Sequence, residues 1–293
     1  MGPIPTVSAP ATDASSRRER TEPDVVYKRT MAERPLILVT NDDGVNAPGI
    51  AAARKALMEI GDVIVAAPDR ERSASSHSIS LDRPLRVDEL GEGVYAIDGT
   101  PVDCVYLALH HLVPRRPAVV VSGINDGYNL GSDVFYSGTV AGAVEAALRG
   151  VPAIAVSLVR QRPQDFSHAA SFLAALAAEV VRRGDGALPE HSLLSVNVPP
   201  GPVAGYQVTF LGRRVYRDQV EVRSDLRGRS YYWIGGPEEK AADLPGSDCS
   251  AVHDGLVSLT PLGLDLTHTG LIGALIEWEV GEFVHRAVEH ART

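Results

Sequence analysis

Short apolar runs that do not alternate with polar residues are the feature that most limits how this chain can fold. Residues 36–40, 118–121 and 153–156 form such runs at strand length, and 62–67 and 193–198 read as further strands. A strand with one face in water alternates, whereas a strand covered on both faces does not, and parallel sheets are covered on both faces. Around these runs, apolar residues recur at helical spacing over 49–60, 102–112, 139–149 and 166–183. The alternation predicts an α/β fold: a doubly wound, mostly parallel sheet whose functional loops gather at the C-terminal ends of its strands.

The flanking segments differ. Residues 1–33 show no hydrophobic period and are rich in Pro, Ser, Thr and Arg, which predicts a disordered leader before a single domain over 34–293. Within that domain, residues 206–266 contain Arg-, Tyr- and Gly-rich stretches that read as extended hairpin arms of the kind that mediate oligomerisation. Residues 255–266 read as strand segments broken by Pro261 and Gly263, and 271–288 as a closing helix. A net charge of -9 argues against a grip on duplex nucleic acid. With no apolar run of bilayer length and no apolar stretch of secretory type near the N-terminus, the expected location is cytoplasmic, without a membrane partner. Cys104 and Cys249 lack metal-site spacing and read as reduced core thiols.

Chemistry concentrates where the runs end. Asn41, Asp42, Asp43 and Gly44 follow the first strand directly. Adjacent carboxylates repel unless a positive charge stands between them, and a hard cation such as Mg or Mn meets that need. Taken alone, such a pair also describes a helix cap beside a solvated turn residue. The second strand runs into a hydroxyl-rich loop over 69–76. The third runs into a Gly/Asn loop, where Asn125 and Asn129 offer amide oxygens. Ser137, Gly138 and Thr139 then open a small-residue helix whose free N–H groups suit a phosphate.

Together these stretches resemble the SurE-type survival-protein nucleotidases. The similarity is carried by VTNDDGVNAPGI at 39–50, VAAPDRERSASSHSIS at 65–80, GTPVDCVYLAL at 99–109, VSGINDGYNLGSDVFYSGTVAGAVEAAL at 121–148 and YYWIGG at 231–236. The resemblance implies one divalent metal per subunit on Asp42, Asp43, Ser73 and Asn125, with Ser137, Gly138 and Thr139, and Asn129 beside them, on the substrate phosphate. It further implies a Rossmann-like sheet with a swapped C-terminal segment, a homodimer or homotetramer, and hydrolysis of small nucleotides, namely nucleoside 5′- and 3′-monophosphates. Ala74 departs from the glycine usual in that family's loop.

As a mechanism, the reading assigns Asp42 or Asp43 as general base toward a water, without choosing between them. An aspartyl-phosphate route, a broader acid phosphatase or exopolyphosphatase, and a nucleotide-binding protein without turnover are the alternatives. A phosphoacceptor receiver module fits poorly, because Ser122 and Ser157 stand where it needs Asp and Lys. His77 is weighed as a proton donor against an ordinary surface histidine. Arg213, Arg214 and Arg217 are weighed as phosphate contacts across a subunit boundary against a solvated basic face. Tyr231, Tyr232 and Trp233 are weighed as arm or subunit contacts against stacking on a substrate base.

Overall fold

The computed structural model describes residues 34–214, 219–235 and 244–278. The expected leader over 1–33, Arg217 and the 279–288 part of the closing helix lie outside them.

β1 (Leu36–Thr40) is buried along its whole length. Its alternate residues feed two cores: Ile37 and Val39 join one cluster, Leu36 and Leu38 the other. This is the period of two that a strand covered on both faces requires. α1 (Pro48–Leu57) starts with a proline in its first turn and leads to β2 (Asp62–Pro68), parallel to β1. A hairpin follows, β3 (Val87–Gly91) and β4 (Val94–Ile97), with β4 parallel to β2. α2 (Pro101–Leu107) then carries the chain back across β1 to β5 (Val119–Asp126), which pairs with the free side of β1. α3 (Gly138–Leu148), β6 (Ala153–Leu158), α4 (Ser167–Arg183) and β7 (Ser192–Val198) continue outward from β5. Side chains of α1 and α4 fill the first core, those of α2 and α3 the second. The expected doubly wound sheet is present, and its strand order reverses between β1 and β5, where open α/β sheets leave a crevice at their C-terminal edge.

Beyond β7 come β8 (Tyr206–Val208), the separate hairpin of β9 (Gln219–Ser224) and β10 (Ser230–Gly235), α5 (Asp248–His253), β11 (Val257–Gly263) and α6 (Thr269–Glu277). Three features differ from, or add to, what the sequence pattern predicts. The β3–β4 hairpin was not anticipated: β3 is exposed throughout and so carries no apolar pattern. The helix expected over 102–112 is α-helical only to Leu107 and closes in a π-helical turn at Ala108–Leu112. β11 runs unbroken through Pro261. β8 covers only Val257–Leu259, so Pro261 lies where β11 is an edge and no neighbour on that side needs its missing N–H.

Close approach sets the position of the first helix. A Cβ on Gly49 would lie 2.0 Å from the Ile124 carbonyl oxygen, whereas one on Gly91 in the edge hairpin meets nothing within 4 Å. Gly49→Ala is therefore expected to destabilise the fold by at least ~2 kcal/mol, and Gly91→Ala by well under ~1 kcal/mol. Paired urea titrations check this, with equal midpoints counting against it.

Candidate active site

At the end of β1 the turn is built by Asn41. Its Nδ2 donates to the Gly44 carbonyl at 2.9 Å and its Oδ1 accepts from the Gly44 N–H at 3.2 Å, which presents Asp42 and Asp43 at the sheet edge. Gly44 adopts φ +100° against the Arg70 backbone, a conformation open mainly to glycine. Asp42 is 5% exposed, and its Oδ1 accepts the Thr139 hydroxyl proton at 2.5 Å. Burial, with the Asp43 charge adding to it, raises its pKa to about 6 despite the Thr139 hydrogen bond. Asp43 accepts the Asp126 N–H at 3.1 Å. Its pKa is also raised, by burial first and then by the charges of Asp126 and Glu71. Neither carboxylate has an ion-pair partner among the described residues.

The loop after β2 is tied to this turn, since the Arg72 N–H donates to the Asp42 carbonyl at 2.7 Å. Ser73 donates its hydroxyl proton to Glu71 at 2.7 Å. Ala74 sits at φ +57°, in the left-handed region, where a residue with a Cβ is strained by about 1 kcal/mol. The far end of the loop is clasped by buried Asp103, which accepts both the N–H and the hydroxyl of Ser80 at 2.8 Å.

β5 contributes next. Its register shifts between Ser122 and Asn125, and a Cβ on Gly123 would lie 2.2 Å from the Val156 carbonyl oxygen. Past that close approach, Asn125 donates its Nδ2 to the Gly127 carbonyl at 2.8 Å, which commits its amide nitrogen and leaves its Oδ1 as the available acceptor. Asn129 is more constrained. Its side chain donates to Ser157 at 2.8 Å, and its N–H and carbonyl are both held by Asn197.

α3 packs tightly behind the acids. A Cβ on Gly138 would lie 2.8 Å from the Asp42 Cβ and 2.8 Å from the Ser75 hydroxyl oxygen. Ser137 caps the helix by accepting the Val140 N–H at 3.1 Å.

Asp42, Asp43, Ser73, Asn125, Asn129 and Ser137 all line one cleft of about 640 Å³. Gly138 and Thr139 are buried directly behind Asp42. The sequence reading missed part of the wall, namely Tyr128, Asp133, Tyr136, Arg160 and the cleft position of Arg214. The Arg214 side chain is only 9% exposed, paired with the Asp133 carboxylate, and its guanidinium lies 4.6 Å from the centre of the Tyr128 ring. It belongs to the cleft of its own chain, while its neighbour Arg213 is exposed. Nothing in the Arg-rich stretch separates the two, so no sequence signal marked it. His77 lies outside the cleft lining, its Nε2 3.3 Å from the Glu145 carboxylate.

A doubly wound sheet carrying an acid pair at its switch point, Asp42 buried and Asp43 half-buried, defines the class as an α/β protein with a strand-end polar site. Comparison with known proteins narrows it. The family model described as "Survival protein SurE" matches residues 37–218. The 5'-nucleotidase SurE of Anaeromyxobacter dehalogenans is 55% identical over 249 residues, 83% of this chain and 96% of that relative. That of Geobacter metallireducens is 50% identical over 250 residues, 84% of this chain and 98% of the relative. The crystal structure of the SurE protein from Aquifex aeolicus superimposes with a TM-score of 0.75 at 38% identity, covering 84% of this chain and all of that one. This chain belongs to the SurE family.

The raised pKa of Asp42 has a consequence for stability. A carboxyl titrating near 6 in the fold and near 3.8 unfolded binds protons more tightly when folded. Its contribution is thus fully present below about pH 4 and is lost as pH rises through 6. At neutral pH the ionised group costs roughly 3 kcal/mol. Asp42→Asn keeps an acceptor for Thr139 without the charge. With chelator present, it is expected to melt above the parent at pH 7.5, and the difference should vanish near pH 4. Calorimetry at both pH values measures this, and a pH-independent difference contradicts it.

Proposed function

We propose that this protein is a divalent-metal-dependent nucleotidase that hydrolyses nucleoside 5′-monophosphates, and 3′-monophosphates, to nucleoside and phosphate. The observation that carries the reading is the meeting of Asp42, Asp43, Ser73 and Asn125 in one cleft in front of the first turn of α3. The names of the 5'-nucleotidase relatives supply the substrate class.

The donor set fits a hard cation. Two carboxylates have pKa values raised by burial, and neither makes a close ion pair among the described residues, the Arg160 charge only partly opposing the rise at Asp43. Ser73 spends its proton on Glu71 and Asn125 spends its amide nitrogen on Gly127, so each retains oxygen lone pairs. Asp42, Asp43, Ser73 and Asn125 would hold one Mg or Mn ion per subunit. When bound, such a cation neutralises charge on phosphoryl oxygens and acidifies water.

The chain's own groups do the rest. Thr139 fixes the Asp42 carboxylate through its hydroxyl, and the N–H of Asp126 fixes Asp43. Either carboxylate can take the proton of an attacking water. The first turn of α3, at Ser137, Gly138 and Thr139, turns the positive end of its dipole toward the same point and favours a phosphate there, with Asn129 beside it. Glycine at 138 lets the helix come this close to Asp42.

Residues 34–293 form a single domain in which the β9–β10 hairpin is an arm for a homodimer or homotetramer. Val220, Val222, Tyr232, Trp233 and Ile234 are each at least 59% exposed on it. No helix of the described residues is long and apolar enough to cross a membrane, and the proposed setting is the cytoplasm.

Phosphate release from a panel of nucleoside monophosphates with Mn, with and without chelator, tests the activity. Asp43→Asn is expected to lower kcat/KM at least ~100-fold while the circular dichroism spectrum is retained. Near-parental turnover in that variant would remove Asp43 from the site.

A further inference from the structure

We propose that Tyr136 is the platform on which the nucleobase of the substrate stacks, an assignment that rests on the nucleotidase reading above. Tyr136 lines the cleft, and its residue is 68% exposed, an unusual state for a large aromatic beside a site. Its main chain is nevertheless fixed. The N–H donates to the Asp133 carbonyl at 2.9 Å, the carbonyl accepts the Ser76 N–H at 3.2 Å, and the next residue is the cap of α3. A ring held on a rigid backbone, with an open face, is what base stacking needs, because every base presents a π-face and little ordering entropy remains to be lost.

Position supports the same assignment. Tyr136 is one residue from the helix start that would hold the phosphate, so a ligand anchored there projects its base into the part of the cleft that the ring borders. The other tyrosine of the cleft lining, Tyr128, is already engaged, its ring stacked by the Arg214 guanidinium at 4.6 Å. A second cavity, of about 400 Å³, adjoins the cleft across Asp43 and Asp126. It is bordered by the carboxylates of Asp43, Asp69 and Asp126, and its aromatic, Phe166, is 8% exposed and packed into the core. That cavity has no free ring face for a base.

The test compares adenosine 5′-monophosphate with ribose 5-phosphate, which carries the same sugar and phosphate but no base, on the full-length Mn-loaded protein. KM is measured, or Ki against adenosine 5′-monophosphate where a compound is not turned over. Tyr136→Ala is expected to weaken adenosine 5′-monophosphate by about 10-fold or more and to leave ribose 5-phosphate within about twofold. Tyr136→Phe keeps the ring and should keep the affinity. Phe135→Ala, which removes an exposed ring outside the cleft lining, should alter neither ligand. Equal weakening of both ligands by Tyr136→Ala, or no weakening of the nucleotide, overturns the assignment while leaving the nucleotidase reading intact. Failure of the unaltered protein to release phosphate from any nucleoside monophosphate removes both.

Discussion

Everything at the C-terminal edge of the sheet is arranged around one costly act, the removal of the Asp42 carboxylate from water. The residue follows a strand buried on both faces, so its position is dictated by the core as much as by chemistry. Thr139 partly offsets the cost with one hydrogen bond, and the close packing of Gly138 makes that bond reachable. A chain selected only for stability would place a neutral side chain here. Strain and charge retained together at a strand end are the physical mark of a site.

Much of the fold was legible because the burial pattern is simple. β1, β5 and β6 are covered on both faces and read as unbroken apolar runs, and the helices between them show their period. What escaped lies at the edges. β3 faces water and has no pattern to find, and Pro261 reads as a breaker unless it is known that β8 stops short of it. The site divided in the same way. Asp42, Asp43, Asn125 and Ser137 sit at strand or helix ends and Ser73 in the loop that leaves one, where location itself is informative. The Thr139 hydroxyl was read toward phosphate, yet it is spent on Asp42, a contact across 97 residues that spacing cannot reveal. Arg214 escaped because its partners, Asp133 and Tyr128, are more than 80 residues away along the chain.

The loop that carries Ser73 illustrates how the two levels interact. Its left-handed Ala74 and Ser76 are unfavourable locally. The loop nevertheless keeps one path because it is tied at both ends, to Asp42 through Arg72 and to Asp103 through Ser80. Rigidity here comes from the anchors rather than from the residues between them. A left-handed alanine is thereby accommodated without releasing the Ser73 hydroxyl beside it from its place on the cleft wall.

Asp248 joins parts of the chain that the ribosome delivers at very different times. Its buried carboxylate accepts the N–H groups of Gly131, Gly212 and Cys249, at 2.8, 2.6 and 2.8 Å, so the turn below the cleft, the segment bearing Arg214 and α5 share one knot. The acid pair and the central strands emerge early during synthesis and can pack as they do. The wall that closes the cleft cannot be fastened until roughly the last fifth of the protein is available. A nascent chain thus carries its charged centre long before the residue that ties the cleft wall together has been made.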